Sequence, residues 1–160
     1  MRGVEKCNHM QRIAVEESRL GIPLFFGLDV IHGMRTVFPI PLAESCSWDE
    51  NLFEKSASIA AKEAAATGIN LTFAPMIDIG RDARWGRVAE GAGEDTYLTS
   101  RYAAAKVRGF QGDDISKTDK IAACAKHFVA YGAAIGGRDY NSADMSLQTL
   151  WETYMPPFKS

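Results

Sequence analysis

The sequence predicts an α/β fold built on a parallel sheet. Three observations carry that expectation. Short, almost wholly apolar runs alternate with longer segments of helical character. Links from helix to strand are short, whereas links from strand to helix are long. The composition is that of an ordinary globular chain: of 160 residues, 46% are hydrophobic and 24% charged. Apolar runs suit strands buried on both faces, and strand–helix alternation places such strands parallel with right-handed crossovers.

The elements follow in order. Cys7 to Leu20 carries Met10, Ile13 and Ala14 at helical spacing, and Gly21 and Pro23 stop it. Leu24 to Leu28 is the first strand, read as buried on both faces. A second, alanine-rich helix spans about Asp49 to Thr67 and closes at Gly68; Ser47-Trp48-Asp49-Glu50 before it fits a capping box. Ile69 to Met76 is the second strand. A third helix runs from about Asp95 to Phe110, with Leu98, Tyr102 and Ala105 on one face. Ile121 to Phe128 is the third strand, and a last helix begins near Ser146 and runs towards Pro156-Pro157.

The connections are unequal. Gly21 to Pro23 and Gly68 alone join helix to strand, but the strand-to-helix links run from Asp29 to Trp48, Ile77 to Glu94 and Val129 to Met145. Long ordered loops are uncommon and usually functional, and in α/β folds those at the carboxyl ends of strands bind ligands. Decorative insertion is the bland alternative, weakened because all three lie on one side.

Polar residues concentrate at those strand ends. Asp29 ends the first strand, with His32 and Arg35 beyond it; Asp29 reads equally well as a turn cap, and His32 as a residue that hydrogen-bonds its loop. In the second loop, Arg81, Asp82 and Arg84 read as a structural ion-pair network. Arg87, between Gly86 and Val88, reads as a fork free to meet ligand hydroxyls. Lys126 and His127 are adjacent in the third strand, so strict alternation points them to opposite faces unless both lie at the strand's last turn. His127 reads equally as a satisfied core histidine. A lysine in an apolar strand is costly unless paired or used, which makes Lys126 the strongest functional signal here.

Several classes are excluded. Eighteen Lys+Arg against 20 Asp+Glu leave a charge of -2, without the basic excess of a nucleic-acid binder. No apolar run approaches the roughly 18 residues of a membrane span, and the start, Met1 to Lys6, lacks the apolar core of a signal peptide. Cys7, Cys46 and Cys124 form no CxxC pair. No metal site is expected, because His9, His32 and His127 lack HExxH spacing. No cofactor is expected either: Gly91-Ala92-Gly93 is no dinucleotide fingerprint, and P-loop and GxSxG motifs are absent. The sequon Asn70-Leu71-Thr72 falls in a buried strand and reads as accidental.

Five motifs occur in order: Gly27-Leu28-Asp29-Val30-Ile31-His32-Gly33, Phe73-Ala74-Pro75-Met76-Ile77-Asp78, Asp82-Ala83-Arg84-Trp85-Gly86-Arg87, Gly93-Glu94-Asp95 and Ala125-Lys126-His127-Phe128. Together they resemble the N-terminal barrel domain of glycoside hydrolase family 3. The stretch from Lys126 to Ser146, with Gly136-Gly137-Arg138-Asp139-Tyr140-Asn141 inside it, is similar to the periplasmic β-glucosidase branch, as is Tyr154 to Lys159. The resemblance covers nearly the whole chain. It implies a partial TIM-type (β/α) barrel of about three to four of the eight strand–helix units, consistent with a length below the roughly 200 residues of a closed barrel. Residues 1–160 then form an incomplete barrel domain, with the family's second, acid/base-bearing domain outside them.

The resemblance also implies a function: retaining hydrolysis of β-glucosides in a parent enzyme, periplasmic or secreted, with a β-glucoside or oligosaccharide as substrate. Asp29, Arg87, Lys126 and His127 would hold the sugar before the scissile bond, with Arg138 a neighbour and Trp85 a brace for the loop. No catalytic residue is expected in this chain. Retaining glycosidases need two carboxyl groups about 5–5.5 Å apart. The family's nucleophile is an aspartate in a Ser-Asp motif, whereas Asp139 and Asp144 stand in other contexts. The hexosaminidase branch is disfavoured, because Tyr131 or Gly132 replaces its second histidine. Two other readings stay open: a non-catalytic carbohydrate-binding fragment, and a Schiff-base aldolase using Lys126. Open sheet edges predict self-association.

Overall fold

The computed structural model describes residues 3–160; Met1 and Arg2, where the reading for a leader begins, lie outside them. The elements are α1 (Val4–Arg12), β1 (Gly27–Leu28), α2 (Pro41–Ser45), α3 (Glu50–Ala65), β2 (Leu71–Thr72), α4 (Thr96–Gln111), α5 (Leu147–Thr149) and α6 (Pro156–Lys159). β1 pairs parallel with β2, Gly27 opposite Leu71 and Leu28 opposite Thr72. The third expected strand joins the other side of β2 through parallel bridges at Ala122 and Lys126, opposite Leu71 and Met76. Three parallel segments in sequence order, with α3 and α4 as the crossovers, are a partial α/β barrel.

The helices explain why the sheet holds. Ala57, Ala60, Ala61 and Ala64 of α3 are buried against Val30, Ala74, Phe110 and Ile121, so small side chains let the helix lie close on the strands. A Cβ added to Gly109 of α4 would sit 2.3 Å from the Glu54 carbonyl oxygen, and this bare backbone is where α3 and α4 cross. Nearby, the Phe53 and Tyr102 rings meet edge to face at 5.1 Å. Lys106 of α4 is also buried: its ammonium lies 2.5 Å from Oε2 of Glu44 on α2 and donates to Ser56 of α3. Burial lowers the Lys106 pKa, and Glu44 opposes that shift.

Local expectations need four corrections. The N-cap of α3 is Asp49, whose Oδ1 accepts from Asn51 N–H at 2.9 Å; Ser47 instead accepts from Asp49 N–H. The helix begins at Glu50, two residues too late for Ser47 to cap it. α1 stops at Arg12 and continues as a wider turn to Glu17, with none of its residues buried. The last helix is likewise interrupted, by a wide turn at Leu150–Tyr154. The first strand is not buried on both faces: Leu24, Phe25 and Leu28 are exposed, Phe25 at 74%. The described residues supply no strand on the far side of β1, and these apolar residues face solvent.

Candidate functional site

All three long loops leave the same end of the sheet. Asp29 stands directly after β1 and serves as the expected turn cap. Its Oδ1 accepts from Ile31 N–H at 3.1 Å, closing the turn, while Oδ2 accepts from the Lys126 ammonium at 2.9 Å. The Lys126 side chain is largely buried and that of Asp29 is open to solvent. The lysine thus has the partner that burial demands, and it reaches the strand ends as an ion-paired group. An ion-paired ammonium is not the free amine that a Schiff-base reading requires.

His127 reaches the same end, so the pair departs from strict alternation at the end of the strand. The backbone here is no regular strand: Lys126 makes a single parallel bridge, opposite Met76. Asp78, at the end of the second strand segment, accepts on Oδ2 from His127 N–H at 2.9 Å and from Nδ1 at 2.8 Å. On the other side of the ring, Arg87 Nη1 lies 3.4 Å from Nε2. Arginine only donates, so this network assigns Nε2 as acceptor and places the proton on Nδ1, directed at Asp78. The Asp78 side chain is wholly buried, and its Oδ1 has no hydrogen-bond partner among the described residues. Burial pushes its carboxyl pKa up, while the His127 bonds and the Arg87 charge pull it down.

Arg87 corrects one expectation. Its fork is not free: Nε and Nη2 donate to the two oxygens of Glu90 at 2.6 and 2.7 Å. Gly86–Glu90 is a 3₁₀ turn, and in that geometry side chains three apart line up. Only the Nη1 edge is left toward His127. The pairing with Glu90 raises the Arg87 pKa and lowers that of Glu90. Arg87 also lies over the Tyr131 ring, 5.3 Å from its centroid.

The supporting residues match expectation in part. Trp85 is wholly buried and donates Nε1–H to Asp139 at 2.9 Å, so it braces the loop. Of the expected network, Asp82 and Arg84 form an ion pair at 2.7 Å that holds the Asp82 carboxyl down to about 2, while Arg81 makes no ion pair among the described residues. His32 bonds its own loop through Nδ1 and the Phe38 carbonyl at 3.1 Å. Asn70, in the sequon, is occupied structurally, accepting from Phe26 N–H at 2.7 Å. Arg138 is exposed, and its side chain makes no hydrogen bond or ion pair among the described residues. No group of three or more His, Cys, Asp or Glu among them could hold a metal, and no described helix is long and apolar enough to cross a membrane.

Sequence reasoning gave no role to Asp78, Glu90, Tyr131 or Asp139. A signal existed for two of them. Asp78 ends the second strand as Asp29 ends the first, and Glu90 follows Arg87 at a spacing suited to pairing. Tyr131 and Asp139 join through a loop whose path only the fold supplies. Together the site offers an open carboxylate, an ammonium, one edge of a guanidinium and an imidazole. That set donates to and accepts from neighbouring hydroxyls. The four carboxylates present are each already engaged: Asp29 by Lys126, Asp78 by His127, Glu90 by Arg87, and Asp139 by Trp85 and Tyr131.

Known proteins are similar to this chain over nearly all of its length. A periplasmic β-glucosidase of Salmonella typhimurium is 48% identical over 156 residues, covering 98% of this chain and 20% of that protein. A β-xylosidase of Formosa agariphila is 38% identical, covering 98% and 23%. The solved structure of a β-glucosidase from Listeria innocua in complex with glucose superposes with a TM-score of 0.92 at 46% identity, over 98% of this chain and 22% of that one. The chain thus spans about a fifth of the length of these relatives. The sequence model of the glycosyl hydrolase family 3 N terminal domain matches residues 1–160, and the chain belongs to that family.

Proposed function

We propose that residues 1–160 are the sugar-holding part of a β-glucosidase-type retaining glycoside hydrolase, whose nucleophile and acid/base lie outside them. In this reading residues 1–160 form part of the barrel domain, and the parent enzyme works in the periplasm, as the Salmonella relative's name suggests for that protein. The observation that carries the reading is the convergence of Asp29, Arg87, Lys126 and His127 at one end of the sheet, from the first two loops and the end of the third strand segment. Asp29 accepts from sugar hydroxyls, Lys126 and the Nη1 edge of Arg87 donate to them, and His127 offers Nε2 as acceptor. Arg138 belongs to the outer edge of the same site, where its exposed side chain meets whatever extends beyond the held sugar. The engaged state of the four carboxylates supports placing the reacting groups elsewhere, since a glycosidase acid must deliver a proton and its nucleophile must be free to attack.

Two assays test the reading together. The chain alone should leave an aryl β-glucoside unhydrolysed, and equilibrium dialysis should show weak, saturable glucose uptake that Asp29→Asn reduces. Robust turnover by the pure 160-residue chain would overturn the placement of the catalytic groups. Glucose uptake indifferent to Asp29→Asn would overturn the assignment of the sugar site.

A further inference from the structure

Behind the sugar-holding cluster, two loops are tied together at one oxygen. Oδ1 of Asp139, in the third loop, accepts Nε1–H of Trp85 in the second at 2.9 Å and the phenol of Tyr131 at 2.5 Å. The Tyr131 ring stands edge to face against Trp85 at 5.2 Å and against His127 at 4.9 Å, and Arg87 lies over it. The backbones press together as well. A Cβ on Gly132 would be 2.3 Å from the Ile79 carbonyl oxygen, and one on Gly137 would be 2.8 Å from Trp85 N. Asp139 is held as a carboxylate, its pKa lowered first by the Tyr131 bond and then by that of Trp85.

We propose that Asp139 is a positioning residue for the sugar site: by accepting from Trp85 and Tyr131 at once, it locks the Tyr131 ring against His127 and Arg87. Without that oxygen the Trp85 indole is a buried donor with no partner, and Tyr131 can swing away from both groups. Arg87 would then keep Glu90 but lose its aromatic face, and His127 would keep Asp78 but lose the ring that fixes its tilt. The acceptor matters more than the charge, so asparagine, which retains a carbonyl oxygen, should preserve the arrangement.

This inference rests on the sugar-holding reading of Arg87 and His127, and the test separates the two. The 160-residue chain is compared with Asp139→Ala and Asp139→Asn by nuclear magnetic resonance of the Trp85 indole and His127 ring, with a glucose titration of each. Asp139→Ala should shift both resonances, speed exchange of the indole proton, and weaken glucose binding about tenfold. Asp139→Asn should keep the wild-type resonances and stay within about threefold in affinity. Unchanged His127 and Trp85 resonances in Asp139→Ala would overturn the proposal, as would an Asp139→Asn indistinguishable from Asp139→Ala. Absence of glucose binding by the wild-type chain would defeat the sugar reading, while the ring resonances still decide the role of Asp139. Should Asp139→Ala fail to fold, Tyr131→Phe removes the phenol bond alone, and it must move the His127 ring resonances for the proposal to stand.

Discussion

The ammonium of Lys126 lies 2.9 Å from Oδ2 of Asp29, a residue 97 positions earlier in the chain. That contact closes the site across the sheet, since one partner ends the first strand segment and the other ends the third. It also explains a lysine in an apolar strand: the carboxylate offsets the cost of taking the ammonium out of water.

Removing the carboxylate alone should hurt more than removing both partners. Lys126→Met leaves Asp29 open to solvent and tolerable, whereas Asp29→Leu strands a largely buried ammonium. Chemical denaturation should show Asp29→Leu as the more destabilised of the two, with Asp29→Leu/Lys126→Met partly recovered. Equal, additive losses would mean that the two side chains act independently.

A second ion pair, remote from the site, gives a larger effect. The side chains of Lys106 and Glu44 are 3% and 9% exposed. Glu44→Ala leaves the Lys106 charge buried and unpaired, and should cost about 3–5 kcal/mol by urea unfolding. Replacing both by apolar residues of similar volume should recover most of that loss.

How far the sequence reveals this molecule depends on which interactions are local. The alternation of apolar runs with capped, alanine-rich helices is local chemistry, and α3 and α4 lie within a few residues of where it puts them. The strand-end position of Asp29, Lys126 and His127 is legible for the same reason. Partners are not legible. Nothing near Trp85 in the chain says that its indole meets Asp139, and the occupied fork of Arg87 depends on a tight turn at Gly86–Glu90 that small residues leave undecided. The burial expected for Phe25 fails because burial belongs to neighbours, which the strand's own residues do not supply.

Tyr131 offers a test by pH. Burial, and the bond it donates to Asp139, push its pKa up to about 12. A phenol whose pKa is higher folded than unfolded contributes stability that is fully present below about 10, its ordinary value. That contribution is lost as pH rises through about 12. The difference in ultraviolet absorbance between wild type and Tyr131→Phe should therefore titrate near 12. A difference titrating near the ordinary tyrosine value would show that the phenol is not held this way.

The open sheet faces have a consequence for the isolated chain. Phe25, Phe128 and Trp151 are exposed, Phe128 at 75%, in a molecule whose first strand segment has no outer neighbour among the described residues. Light scattering should report a mass that rises with concentration, and Phe25→Lys/Phe128→Lys should reduce the rise. A monodisperse monomer of high thermal stability would contradict this.

The central claim is that Asp29, Arg87, Lys126 and His127 form one sugar-holding surface. Its most direct test is a glucose titration of the isotope-labelled chain followed by residue-resolved magnetic resonance. Saturable shifts are expected, in the millimolar range, at Asp29, Arg87, Lys126 and His127 together, with their loss in Asp29→Asn. Shifts confined to other surfaces, or none at concentrations that saturate weak sugar sites, would contradict it.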